Sequence, residues 1–172
     1  MKAAAIDFDA VLGDTRPLWQ AWLTDASRRL RTPLDLPADR GAAASLLTQA
    51  LGTWEPLLKR FAEDHGPLYL RPRADVNAAL RRLRQAGVTV GAYTDAPEPL
   101  ARVAALQLGV ARLLDLVTAN LGYPRIGRRR ELKRAHERLL ERLGREAVVV
   151  DAVCQLVSAG TYNRERGAEG GR

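Results

Sequence analysis

The chain holds a single cysteine, Cys154, which excludes an internal disulfide and any multi-cysteine zinc site. Its only two histidines, His65 and His136, have no metal-ligand spacing; His65 falls in a turn and His136 beside an apolar stripe, so both read as structural. Aromatic residues make up 5% of the chain, which is thin for a surface that stacks single-stranded nucleic acid. No apolar run approaches the ~20 residues that span a bilayer. The alanines after Met1 and Lys2 are too few for a signal sequence, and Asp7 interrupts them. The expectation is a cytoplasmic protein with no membrane contact. There is no internal repeat and no phosphate-cradling glycine loop. Gly13 and Gly91 stand isolated and carry no signal.

Lysine is also scarce. It occurs at Lys2, Lys59 and Lys133 only, so the 27 basic residues include 24 arginines. The net charge of +7 would attract phosphate-bearing partners. It is also what a compositional bias toward arginine and alanine produces, and that reading is preferred. Nucleic acid is not the expected partner. The 172 residues, 47% of them apolar, suit one domain with room for a small insertion.

The informative stretch is Ala3-Ala4-Ala5-Ile6-Asp7-Phe8-Asp9. A short apolar run is how a buried strand of a parallel sheet reads. Polar groups at its carboxyl end fall where open α/β sheets hold ligands. Two aspartates at i and i+2 on extended backbone point the same way and repel, unless a cation or other donors join them. A hard divalent ion, Mg²⁺, suits two carboxylates. A solvated turn at the end of a core strand is the other reading of the same residues.

Helical spacing follows: Leu18, Trp19, Trp22, Leu23, Ala26 and Leu30 form one face, with Asp14 or Thr15 at the start. An alanine-rich helix over 42–51 and another from Trp54, ended by His65-Gly66-Pro67, complete a helical stretch. Asp75 begins a helix that Gly87 stops. Residues 88–93 are a second strand, ending at Thr94-Asp95-Ala96-Pro97. Thr94 either serves a site or caps the next helix. A short third strand is expected near 115–118, an arginine-rich helix over 131–143 and a β-branched fourth strand over 147–150, ending at Asp151.

The run Asp7-Phe8-Asp9-Ala10-Val11-Leu12, followed by Gly13-Asp14-Thr15, resembles the first motif of the haloacid dehalogenase (HAD) superfamily, Asp-x-Asp-Gly-Thr/Val. Thr94 matches its second motif and Asp151 its fourth. The resemblance implies an α/β fold, a three-layer Rossmann-like parallel sheet with a small helical cap. The core would comprise 1–15 and 69–160, the cap 16–68, and 161–172 a disordered tail. It implies a Mg²⁺-dependent phosphatase-type hydrolase, a phosphoric monoester hydrolase acting on a small phosphorylated metabolite through an aspartyl-phosphate. Asp7 would be the nucleophile and Asp9 the acid and base, the second aspartate favouring phosphatase over dehalogenase. Thr94 would hold a phosphoryl oxygen, and Asp7, the Asp9 carbonyl and Asp151 would hold Mg²⁺. The chain departs from the pattern at three places: Ala10 stands for glycine, no lysine occurs in 119–130, and no second acid follows Asp151. Arg125 or Arg128 would supply the missing positive charge, or the basic loop is simply solvated. The departures leave a second reading, a catalytically degenerate HAD-like domain that binds a ligand or partner. A third, a nucleic-acid module, rests only on the basic 125–145 segment.

Overall fold

The structure, a computed structural model, describes residues 2–31, 33–120, 128–144 and 146–158. Four strands, β1 (Ala3–Asp7), β2 (Thr89–Pro97), β3 (Leu116–Asn120) and β4 (Val148–Val150), form one sheet in the order β3-β2-β1-β4. Every pairing is parallel: Ile6 of β1 lies opposite Ala92 of β2 and Val150 of β4. The alanines and Ile6 of β1 are buried because the strand has sheet on both sides and helices on both faces.

Among the described residues six α-helices fill the connections: α1 (Arg16–Leu30), α2 (Arg40–Leu51), α3 (Glu55–Tyr69), α4 (Ala74–Gln85), α5 (Glu98–Gln107) and α6 (Arg128–Leu143). Alternation along the strands sends Ala4, Ile6, Val90 and Ala92 into one large buried cluster. Ala5 and Tyr93 face the other way and pack with Leu139 of α6. The result is the three-layer α/β arrangement with a parallel sheet that the sequence implies. Among the described residues no helix is long and apolar enough to cross a membrane.

Helices α1 to α3 lie between β1 and α4, the span expected to be only helical. The three tryptophans of the chain meet there. Trp19 and Trp22 lie 5.2 Å apart by ring centroid, Trp22 and Trp54 5.4 Å. These rings share one buried cluster with the sheet residues.

Several local expectations change. Helix α3 does not stop at His65-Gly66-Pro67 but runs to Tyr69. The exposed Pro67 sits in its last turn, where α3 packs on α5 and a Cβ on Gly66 would meet Gln107 at 3.1 Å. Asp75 lies inside the first turn of α4 rather than capping it; Arg73 is the flanking residue. Strand β2 continues past Tyr93 to Pro97, which brings Thr94 and Asp95 into the sheet. The two isolated glycines do carry a signal. A Cβ on Gly91 would stand 2.6 Å from a Leu139 methyl, so α6 can approach β2 only where a side chain is missing. A Cβ on Gly13 would meet Leu108 at 2.6 Å.

Candidate active site

Strand β1 ends at Asp7, and a π-helical turn, Phe8–Leu12, follows at once. The Asp7 carboxylate caps this turn by accepting the Ala10 N–H at 3.0 Å. Such turns are rare and concentrate at functional sites. The turn lifts Asp9 off the strand axis, so it does not simply follow Asp7 along extended backbone.

Asp9 is the hub. Its Oδ1 accepts from the Thr15 N–H at 2.9 Å and the Thr15 hydroxyl at 2.5 Å. Its Oδ2 accepts from the Thr94 hydroxyl at 2.6 Å and from Arg40 Nη2 at 2.8 Å. Thr94 thus does not cap α5. Its oxygen accepts the Ala96 N–H at 3.0 Å while its proton goes to Asp9. Thr15 stands at the start of α1 without capping it by its side chain, because the hydroxyl is given to Asp9.

Arg40 is the first residue of α2. Asp39 before it caps that helix through the Ala42 N–H at 2.7 Å, which aims the next side chain inward. The Arg40 guanidinium is 3% exposed; it donates to the Thr15 hydroxyl at 2.6 Å and also to the carboxylates of Asp9 and Asp95. Two buried acids thus share one buried cation across three elements, with one negative charge in excess. A guanidinium fork can serve several acceptors at once where an ammonium is a point charge.

The electrostatics separate the two aspartates of the motif. Burial raises the Asp7 carboxyl above its ordinary value, and the charges of Asp9 and Asp95 add to this against the Ala10 N–H. Burial also opposes the charge on Asp9, but the Arg40 charge and the bonds from Thr15, Thr94 and Arg40 outweigh it and hold that carboxyl low. Burial works against the Arg40 charge as well, and its two acids overcome it. Tyr93, opposite Asp7 in the sheet, is pushed up to about 12 by burial and then by the charges of Asp7 and Asp151.

Asp151 is the first residue past β4, and Val150 pairs with Ile6, so Asp151 and Asp7 end neighbouring strands. It is exposed, and its N–H donates to Gln155 Oε1 at 3.1 Å. Among the described residues no group of three or more His, Cys, Asp or Glu side chains is arranged to hold a metal. Two carboxylates on adjacent strand ends with one backbone carbonyl are nevertheless hard oxygen donors that suit Mg²⁺, which keeps several waters. The Asp9 carboxylate itself is not free for this, since four protein donors surround it.

The sheet thus gathers Asp7, Asp9, Thr94 and Asp151 at the carboxyl ends of three strands. Arg125 lies outside the described residues, as does the side chain of Arg128 at the start of α6; so does the expected tail at 161–172. Sequence reasoning missed Arg40 and Asp95. Asp95 had a signal, its place directly after Thr94. Arg40 had none, being one arginine among 24.

No family model matches the chain, and no curated protein matches it. A solved structure does. The crystal structure of a HAD phosphatase from Thermococcus onnurineus aligns with a TM-score of 0.52 and 22% identity, over 87% of this chain and 76% of that one. The fold is HAD-like. At this identity the likeness concerns the arrangement of strands and helices, and the chemistry must be argued from this chain's own residues. The Asp7–Asp9 turn follows β1, Asp151 follows β4 and Thr94 lies near the end of β2, all on the sheet edge where open α/β sheets take ligands.

Proposed function

We propose that the chain is a phosphatase-type hydrolase that acts on a small phosphorylated substrate through a phosphorylated Asp7. The observation that supports this most is the 2.6 Å hydrogen bond from Thr94 to Asp9, which joins residues 85 positions apart at one strand-end crevice. Asp7, whose carboxylate is held by the Ala10 N–H and the Asp9 N–H, is the candidate nucleophile. Its attack forms an Asp7 O–P bond and breaks the ester P–O bond. Water then attacks the same phosphorus, releasing Asp7 and inorganic phosphate. Asp9 stands where the resemblance puts the proton-passing group, work worth roughly 10²–10⁴-fold, but it can take a proton only when one of its four present donors withdraws. The Thr94 hydroxyl is the candidate donor to a phosphoryl oxygen, and Arg125 or Arg128 the candidates for a further cation. Mg²⁺ would be held by Asp7, the Asp9 carbonyl and Asp151, and when bound supplies positive charge that offsets repulsion between carboxylate and phosphate. Helices over 16–68 would act as a cap that excludes water from the crevice.

A second reading has its own observation. All four protein donors around Asp9 also describe a carboxylate used as a structural hub, as in a HAD-like domain that binds without turning over. The test is phosphate release from p-nitrophenyl phosphate with Mg²⁺. Turnover that Asp7→Asn abolishes supports the hydrolase. Absence of turnover across a panel of phosphorylated metabolites, with the wild-type chain folded, favours the binding domain.

A further inference from the structure

We propose that Arg40 is a specificity-determining residue, restricting this site to phosphorylated substrates whose leaving group departs without taking a proton. The inference rests on the hydrolase reading above. Its ground is a count of acceptor sites. A carboxylate offers about four lone-pair positions on its two oxygens. On Asp9 all four are taken: two by Thr15 on Oδ1, one by Thr94 and one by Arg40 on Oδ2. No position is left from which a proton could pass to a departing alkoxide.

Arg40 is the donor that sets this apart from an ordinary strand-end aspartate. Thr15 lies within six residues of Asp9, and Thr94 is fixed in the sheet beside it. Arg40 arrives from α2, 31 residues on, and is anchored on its far side by Asp95. It fills the Oδ2 position that a substrate oxygen would otherwise meet. Esters of simple alcohols depend on that position, because an alkoxide is a poor leaving group. Acyl phosphates, phosphoanhydrides and aryl phosphates do not. Their P–O bond breaks with the electron pair leaving on a carboxylate, phosphate or phenolate oxygen that is stable unprotonated, while the Asp7 oxygen bonds to phosphorus.

The experiment compares kcat/KM, which reports the first, Asp7-phosphorylating step, for acetyl phosphate, p-nitrophenyl phosphate and glycerol 2-phosphate with Mg²⁺. Acetyl and aryl phosphates are intrinsically more reactive, so the diagnostic is how the gap between them and the alkyl ester changes. The variant is Arg40→Gln combined with Asp95→Asn, which removes one charge of each sign; Asp9 loses its cation but keeps its three bonds from Thr15 and Thr94. Thermal melting checks that it is folded. With Arg40 gone, kcat/KM for glycerol 2-phosphate relative to p-nitrophenyl phosphate should rise about 10-fold or more, within the range general acid catalysis supplies. Arg40→Lys, which keeps the charge but cannot span three acceptors, should give an intermediate ratio. An unchanged or falling ratio in the folded double variant overturns the proposal while leaving the hydrolase intact. A wild-type chain that hydrolyses glycerol 2-phosphate as fast as p-nitrophenyl phosphate overturns it too. Wild-type chain that hydrolyses none of the three overturns the hydrolase reading itself, and the proposal falls with it.

Discussion

Arg40 Nη2 lies 2.8 Å from Asp9 Oδ2, and both side chains are nearly sealed from solvent, at 3% and 10% exposure. The contact ties the first turn of α2 to the turn after β1. With Asp95 it makes a buried ion cluster in which one guanidinium answers two carboxylates.

Removing that guanidinium alone should be costly. Arg40→Met leaves Asp9 and Asp95 buried without their cation, and breaking a buried pair from one side costs about 3–5 kcal/mol. For a chain of this size the melting temperature should fall by roughly 6–20 °C. Adding Asp95→Asn should recover part of the loss. Melting curves of the two single variants and the double variant give the coupling directly.

Asp7→Asn should abolish phosphate release and yet make the protein more stable at neutral pH. The Asp7 pKa is raised in the folded state, by burial first and by Asp9 and Asp95 next. A raised pKa means its favourable contribution is present below the unfolded value and is lost as pH rises through the folded one. At neutral pH the ionised Asp7 is therefore a burden that asparagine lifts. Differential scanning calorimetry should show a higher melting temperature at pH 7, by about 1–3 °C, and a smaller gain below pH ~4.

Asp9 should behave in the opposite way. Its folded pKa is lowered, so its contribution is present above the unfolded value and is lost as pH falls through the folded one. Acid unfolding of the wild-type chain should therefore steepen below the ordinary carboxylate range near pH ~4. Asp9→Asn should flatten that part of a stability-against-pH curve measured by urea titration. A curve of unchanged shape would contradict the Arg40 pairing.

Gly91→Ala should destabilise by about 1–3 kcal/mol, the usual range for overpacking. The added methyl would stand 2.6 Å from one Leu139 methyl and 2.9 Å from a Leu143 methyl. Leu139→Ala should cost stability alone but make room for the alanine at 91, so the double variant should be more stable than the sum of the singles implies. Chemical denaturation of the four proteins measures this.

The parts of the site that were legible in the sequence are those that sit at strand ends. Asp7, Thr94 and Asp151 each follow an apolar run, and a parallel sheet gathers such ends on one edge whatever lies between. The π-helical turn was not legible, because Phe8-Asp9-Ala10 continues a pattern that reads equally as strand. Arg40 was not legible because nothing within several residues distinguishes it from the arginines on exposed faces. Gly91 was misread for a related reason: its value depends on Leu139, 48 positions later, and on how closely α6 lies.

Local pattern by itself determined the α/β class, the order of strands and helices, and the acids Asp7 and Asp151 that end neighbouring strands. Those features follow from burial periodicity and strand-end chemistry, which act over a few residues. Only the tertiary structure decided what those acids bond to. The cation for Asp9 and Asp95 comes from α2, which packs on β2 and α6 and buries Ala43, Ala44 and Leu47 in the sheet cluster, and a contact made by packing leaves no trace in the spacing of residues along the chain.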